Sequence, residues 1–516
     1  MSKGSDGATI AHIVAAGARE QPDLDVLTFE HEGRFETRSY AQLWRNGQSL
    51  ARLFMDLGMV AGDRVALMMQ NHPEFVEAMV ACAISNLVFV PIDPRTRGDR
   101  LAFMLNDCGC RGVLVGDYAS EEVRAVRSRT PALEWSRTIG PDFAIGEGSQ
   151  PELEIAAREN DVMQILYTSG TTGDPKGVIV RHQRFGAVGT VAPSLYGYRQ
   201  EDRPYTGLSL THANAQFVTL APSLKMGMRA VFSRRFTRSR FWDVIRACSC
   251  TTVSLLGGIA TALYGAPERP DDRDNPIRLV TSAGMPPAIW EAFERRFGVA
   301  IGEYYGALEG GQTIRQVGTG PYGSCGRVAA SLVAKVVDEH DVEVARGEPG
   351  EIIFRPADGS PAVVEYYNNP EAAALKTAGG WLRSGDIVRM DADGWVYFEY
   401  RKGGGLRKNG DFIAADAVEK VLAEHPAVDD VFVYGIPAAS GAPGEKDIVA
   451  AIVCNGAAKI PDDLFSWCRE RLEGNAIPDF MQIVDQIPKT ASEKPQERFL
   501  AAQLASHPES VIKRNA

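Results

Sequence analysis

Within the string Tyr167-Thr-Ser-Gly-Thr-Thr-Gly-Asp-Pro-Lys-Gly-Val178, one ten-residue stretch holds four hydroxyls, three glycines and a lysine. Thr168, Ser169, Thr171 and Thr172 can each donate a hydrogen bond. Gly170, Gly173 and Gly177 let backbone N–H groups approach an anion closely, and Lys176 adds a full positive charge. That chemistry suits phosphate. The loop is not of the Walker A type, because Lys176 precedes a glycine instead of following one and leading into Ser or Thr. An ordinary polar surface loop can have a similar composition, so the order of residues carries the argument.

The flanking segments must hold this loop in place. Asp161–Leu166 reads as a strand running directly into it. Upstream, Tyr40–Leu57 has apolar residues at helical spacing, and Asp63–Met69 reads as a buried strand ended by Asn71-His72-Pro73. A helix over Glu74–Ile84 and a strand over Val88–Pro91 follow. Val113–Val115 and Thr251–Leu256 are further short strands, with helices at Phe241–Cys248 and Ala288–Phe297. Alternating strands and helices of this kind predict a layered α/β fold.

Near residue 400 the composition changes. A strand over Trp395–Tyr400 leads into Arg401-Lys-Gly-Gly-Gly-Leu-Arg-Lys-Asn-Gly410, which is basic and glycine-rich. Three consecutive glycines suit a hinge or a tight bend. Beyond them, a helix (Ala415–Glu424), strands (Val431–Tyr434, Ile448–Val453) and a helix (Pro461–Leu472) make a small unit of ordinary domain size. The sequence therefore predicts two domains, 1–400 and 401–516.

Composition narrows the function. At 516 residues with 45% apolar and 23% charged side chains, the chain has the balance of a soluble globular protein. A net charge of −11 argues against general nucleic-acid binding, though not against a local basic cleft. The eight cysteines form no CxxC pair, and free thiols in a reducing cytoplasm are the expectation. The most apolar stretch, Val76–Pro91, is broken by Asn86, and no run reaches the length of a membrane span.

The loop 167–178 resembles the signature loop of the superfamily of acyl-CoA synthetases, non-ribosomal peptide adenylation domains and luciferases. The resemblance extends over nearly the whole chain: Gly62-Asp-Arg-Val-Ala66, Asn71-His-Pro-Glu-Phe-Val76, Val90-Pro-Ile-Asp-Pro94, Leu210-Thr-His-Ala-Asn-Ala-Gln216, Tyr305-Gly-Ala-Leu-Glu309, Ser384-Gly-Asp386, Arg401 and Lys494 follow in the family's order. Phe236–Asp243 and Asp272–Leu279 look most like the crotonobetaine/carnitine-CoA ligase group.

The resemblance implies a large N-terminal domain of layered sheets with a distorted β-barrel, and a small mobile α+β C-terminal domain. It also implies two half-reactions. A carboxylate attacks the α-phosphate of ATP, giving acyl-adenylate and pyrophosphate, and the thiol of coenzyme A then displaces AMP. The implied cofactors are ATP, Mg²⁺ and coenzyme A, the setting carboxylic or fatty acid metabolism in the cytoplasm, and the resemblance leaves room for a homodimer.

By the same resemblance, Thr168, Lys176, His212, Glu309 and Lys494 are the catalytic candidates. Ser169, Gly170, Thr171 and Thr172 complete the phosphate cradle, and Glu309 is the metal ligand. Asp386 and Arg401 take the ribose and Tyr305 stacks on adenine. Ser282, Ala283, Gly284, Tyr304 and Gly306 border the base. His212, Asn214, Gly257, Gly258 and Met285 line the acyl pocket, with Tyr304 a further candidate. Taken singly, each has a plain structural reading; a lone Glu or Lys is ordinarily a solvated charge.

Three positions depart from the family's pattern. Leu308 stands where the motif usually has a threonine, which removes one hydroxyl contact worth roughly 0.5 to 1.5 kcal/mol. Gly404 replaces the usual charged hinge residue, and Glu493 replaces the glycine before Lys494. No basic residue in the pocket segments is aimed at a second carboxylate, so a monocarboxylate is expected. Two alternatives stay open: transfer of the acyl group to an amine or a carrier-protein thiol, and a non-catalytic nucleotide-binding homologue.

Overall fold

The computed structural model describes residues 9–140, 143, 151–168, 175–287, 289–401, 406–409, 411–413, 415–442, 445–454, 463–488, 495, 497–507 and 511–514. The fold is mixed α/β, with a large N-terminal part and a smaller α+β C-terminal part.

A six-stranded sheet runs in the order Trp135–Ile139, Cys110–Gly116, Arg64–Met68, Val88–Pro91, Val162–Thr168, Lys176–Arg181. Its first five strands pair in parallel, and the last pair is antiparallel with Thr168 opposite Lys176. The candidate phosphate loop therefore joins two neighbouring strands of one sheet. The predicted strand ends at Leu166. In the fold it runs on to Thr168, because the return strand supplies hydrogen-bond partners that the local sequence does not reveal.

The helix Tyr40–Asp56 begins at a capping box in which Ser39 and Gln42 satisfy each other's backbone amides. Helix Pro73–Ser85 is buried on almost every face, and Asn86 ends it in the left-handed conformation. This explains why Val76–Pro91 is so apolar: it is a core helix followed directly by a core strand.

A nine-stranded sheet carries most of the remaining candidate residues. Part of its order is Gly310–Arg315, Ile301–Ala307, Leu279–Ala283, Thr252–Leu256. A third, antiparallel sheet is made of Leu332–Val337, Pro349–Pro356, Leu382–Met390 and Val396–Arg401. It is tied to the edge of the second sheet by the bridge between Gly326 and Val396.

After Arg401 the chain forms a separate hairpin, Leu406–Lys408 with Asp411–Ile413, and a four-stranded sheet beginning with Val428–Pro437 and Lys446–Cys454. Helices Ala415–Ala423 and Leu464–Arg471 cover it. All eight cysteines are free. Among the described residues no helix is long and apolar enough to cross a membrane.

Candidate active site

The strand Ile301–Ala307 brings the most chemistry together. Tyr305 sits near its end, with its ring stacked on Phe354 at 6.3 Å and its hydroxyl donating to Asp386 Oδ2 at 2.6 Å. Asp386 is buried on the strand Leu382–Met390, and its backbone N–H donates to Ser384 Oγ at 2.9 Å. Its register partner on the neighbouring strand is Arg401. Burial, with Asp386 opposing ionisation next to it, pushes the Tyr305 phenol well above its usual range. The phenol therefore stays a donor, and Asp386 keeps one oxygen engaged by it.

Glu309 lies just past the same strand. Its Oε1 accepts from the Tyr366 hydroxyl at 2.9 Å, and Lys176 Nζ stands 5.7 Å from the centre of the Tyr366 ring. Lys176 and Glu309, 133 positions apart in number, thus share one aromatic side chain. Thr168 ends its strand opposite Lys176. Ser169, Gly170, Thr171 and Thr172 lie outside the described residues, as do Lys494, Glu493 and Gly403–Gly405.

The neighbouring strand Leu279–Ala283 leads into Gly284 and Met285, whose backbone N–H groups both donate to the Glu303 carboxylate, Met285 at 3.1 Å. Glu303 is buried, and burial raises its pKa to about 7 against these two donors and Arg407. Sequence reasoning does not single out Glu303. Its place two residues before Tyr305, on the same face of the strand, is the signal that was available. Ser282 is fully buried beside Ala283.

Gly257 opens the helix Gly257–Tyr264, which Gly258 continues. A Cβ on Gly257 would lie 2.0 Å from the Gly284 carbonyl oxygen, so only glycine allows these two segments to touch. Gly306 is less crowded: a Cβ there would lie 3.2 Å from the Gly311 carbonyl oxygen.

The resemblance sets Tyr304 beside the base. Its side chain faces the other way, because neighbours on a strand point to opposite faces. Its ring contacts Tyr196 at 5.4 Å, and its hydroxyl accepts from Asn214 Nδ2. Asn214 Oδ1 in turn accepts from Ser254 Oγ at 2.8 Å. Tyr304 is therefore grouped by its contacts with Asn214 and Tyr196, on the face of the strand opposite Tyr305. Directly after Asn214 the chain forms a π-helix, Ala215–Leu220, that no sequence pattern announced.

His212 is mostly exposed, with Nε2 3.7 Å from Asp93 Oδ2. Arg95 bonds the same carboxylate at 2.8 Å and reaches Asp411 of the C-terminal part at 3.4 Å. Burial alone would raise the pKa of Asp93, but the bonds from His212 and Arg95 outweigh it and hold it well below the usual range. Arg407, also from the C-terminal part, packs its guanidinium against two glycines: a Cβ on Gly257 would meet its Nη2 at 3.1 Å, and one on Gly284 would meet it at 3.2 Å. So three basic residues that the sequence did not single out stand at this site: Arg95, Arg407, and Arg184, whose Nη1 donates to the Leu308 carbonyl. None sits in a segment that sequence alone assigns to the pocket.

Two family models match: AMP-binding enzyme over residues 14–367 and AMP-binding enzyme C-terminal domain over residues 417–494. The chain belongs to the AMP-binding enzyme family. Among curated relatives, the crotonobetaine/carnitine–CoA ligase of Salmonella choleraesuis (strain SC-B67) is 29% identical, covering 92% of this chain and 95% of its own. Among solved structures, o-succinylbenzoate CoA synthetase from Bacillus subtilis, as a double mutant bound with its product analogue, superposes with a TM-score of 0.82. It is 24% identical and covers 95% of this chain and 97% of its own. The same enzyme in complex with its acyl-adenylate intermediate gives 0.65 at the same identity and coverage. An amide bond synthetase from Marinactinospora thermotolerans gives 0.82 at 22% identity, covering 96% of this chain and 99% of its own.

Proposed function

We propose that this protein is an AMP-forming carboxylate–CoA ligase with two domains, 1–400 and 401–516, acting in the cytoplasm. The observation that carries this reading is the convergence of Tyr305, Asp386, Glu309 and Lys176 at one end of the Ile301–Ala307 strand. Family membership supports it, as do the names of the curated relatives.

The chemistry follows from charge. Bringing a carboxylate against a polyphosphate needs neutralisation and alignment more than a nucleophilic side chain. Lys176 and the hydroxyls of Thr168, Ser169, Thr171 and Thr172 neutralise the outer phosphates. Asp386 and Arg401 hold the ribose, and Tyr305, Gly306 and Ser282–Gly284 border the adenine. Glu309 presents one carboxylate beside Lys176, which fits Mg²⁺, an ion that takes one or two carboxylates together with substrate phosphates. Such an ion would supply charge stabilisation at the phosphates when bound. Lys494 reaches the α-phosphate and the acid's carboxylate oxygen. Asn214, Tyr304, Gly257, Gly258 and Met285 enclose the acyl group, and His212 stands at the mouth through which the thiol enters.

The C-terminal part meets the site through the contact of Arg95 with Asp411, and we assign the second half-reaction to the arrangement that this contact holds. The test is pyrophosphate release with ATP and Mg²⁺ across a panel of carboxylic acids, with and without coenzyme A. The expected result is acid-dependent release and CoA-dependent turnover. No release with any acid refutes the enzyme reading, and acyl-adenylate that accumulates without CoA-dependent turnover favours an amine or carrier acceptor.

A further inference from the structure

The Arg184 side chain leaves the first turn of helix His182–Tyr196 and ends between two features already described. Its Nη1 donates to the backbone carbonyl of Leu308, the residue immediately before Glu309. Its guanidinium lies over the Phe217 ring at 5.4 Å, on the π-helix that follows Asn214. Burial lowers its pKa, opposed by the nearby Glu309, yet a guanidinium remains charged at any working pH.

The line of groups is informative. Lys176 approaches Glu309 from the phosphate-loop side through Tyr366, and Arg184 approaches it through Leu308 from the acyl-pocket side. On the nucleotide reading of the site, an acid lying among Asn214, Tyr304 and Met285 meets the nucleotide on the side of Glu309 that Arg184 approaches. That reading puts Arg184 on the acid-facing side of Glu309 and Lys176 on the phosphate-loop side. Leu308 is buried and apolar and offers that junction no hydroxyl. Among the described residues, the Leu308 carbonyl is the hydrogen-bond partner of Arg184, one bond from a group with five N–H donors.

We infer that Arg184 is a binding residue for the α-phosphate, supplying from the neighbouring helix the contact that Leu308 lacks. This rests on the nucleotide reading of the site. Arg184 supplies positive charge in a planar fork, which matches phosphate geometry and is stronger than a neutral hydroxyl contact.

Calorimetric titration of the full chain with AMP, and separately with adenosine, isolates the α-phosphate. Arg184→Gln is expected to weaken AMP roughly tenfold to a hundredfold while leaving adenosine unchanged. Leu308→Thr added to Arg184→Gln recovers part of the AMP affinity, which a role confined to holding the Leu308 carbonyl would not produce. Arg184→Lys keeps the charge and loses the fork, so it shows a smaller loss confined to AMP; it serves as the test if the Gln variant does not fold. Equal losses for AMP and adenosine, or no loss for AMP, overturn the inference. If the unaltered protein binds neither AMP nor adenosine, the nucleotide reading fails as a whole, a result distinct from failure of Arg184 alone.

Discussion

The two halves of the candidate site are held by different physics. On the N-terminal side, Glu303 and Asp386 are buried and Tyr305 is half-buried, on strands of two sheets of the same folded unit, with hydrogen bonds between 2.6 and 3.3 Å. On the C-terminal side, contact with the site runs through Arg95 and Asp411 at 3.4 Å and through Arg407 beside two glycines. The Arg95 side chain is about half exposed, and exposed ion pairs contribute only about 0 to 1 kcal/mol. A half built from strand pairing is set once, on folding. A half attached by a few exposed charges can leave and return, which two successive reactions in one site require.

Lys494 gives the sharpest break between the halves. Lys494→Ala is expected to lower adenylation by about a hundredfold to a thousandfold, the usual cost of removing one charge-stabilising group. Nucleotide binding, measured by titration, stays largely intact because the N-terminal half supplies it. An unchanged rate of pyrophosphate release would refute the role given to Lys494.

On the fixed side, Gly257→Ala forces a Cβ into the Gly284 carbonyl, which lies 2.0 Å away. Backbone must move, at a cost of about 1 to 3 kcal/mol in unfolding free energy, together with loss of turnover. Wild-type stability and activity in this variant would show that the two segments are less tightly coupled than the geometry says.

Glu303 tests the same rigidity through pH. Its proton is held up to about pH 7 in the folded protein by burial, against an ordinary value of 4.5. Between those values the folded state keeps a proton that the unfolded chain has lost. Its stabilising contribution is therefore complete below pH 4.5, falls as pH rises through 7 and is absent above it, a change on the order of 3 kcal/mol. Glu303→Gln should flatten that slope in denaturant unfolding measured from pH 4.5 to 8. An unaltered slope would mean that Glu303 titrates normally.

The smallest effect belongs to the movable side. Asp411→Asn removes the charge facing Arg95 and should slow CoA-dependent turnover by a few-fold at most, in line with about 1 kcal/mol or less. Pyrophosphate release in the first step stays unchanged. Equal slowing of both steps would show that this contact serves the fold and not one arrangement of the domains.

Much of this was legible in the chain. The Tyr40–Asp56 helix, the Arg64–Met68 strand and the Val88–Pro91 strand fall within a residue or two of the periodic pattern, because each buries a continuous apolar face. The phosphate loop, Glu309 and Asp386 stand out by type and order. Glu303, Arg184 and Arg407 do not, since a charged residue in an unremarkable segment looks the same whether it faces water or a cleft. Tyr304 is hard to place from sequence for a related reason: Tyr304 and Tyr305 are adjacent in the chain, and only the pleat sends them to opposite faces.

The sequence by itself determined which chemical groups are present, the elements that carry them and the change of character near residue 400. These are local properties, written in residue type and spacing. The tertiary structure decided which groups meet. Lys176 reaches Glu309 through Tyr366, Tyr305 reaches Asp386, and Arg184 reaches Leu308 only because separate strands and helices pack side by side. Such contacts join residues far apart in the chain, and their geometry is fixed by the packing of the whole core rather than by any short segment.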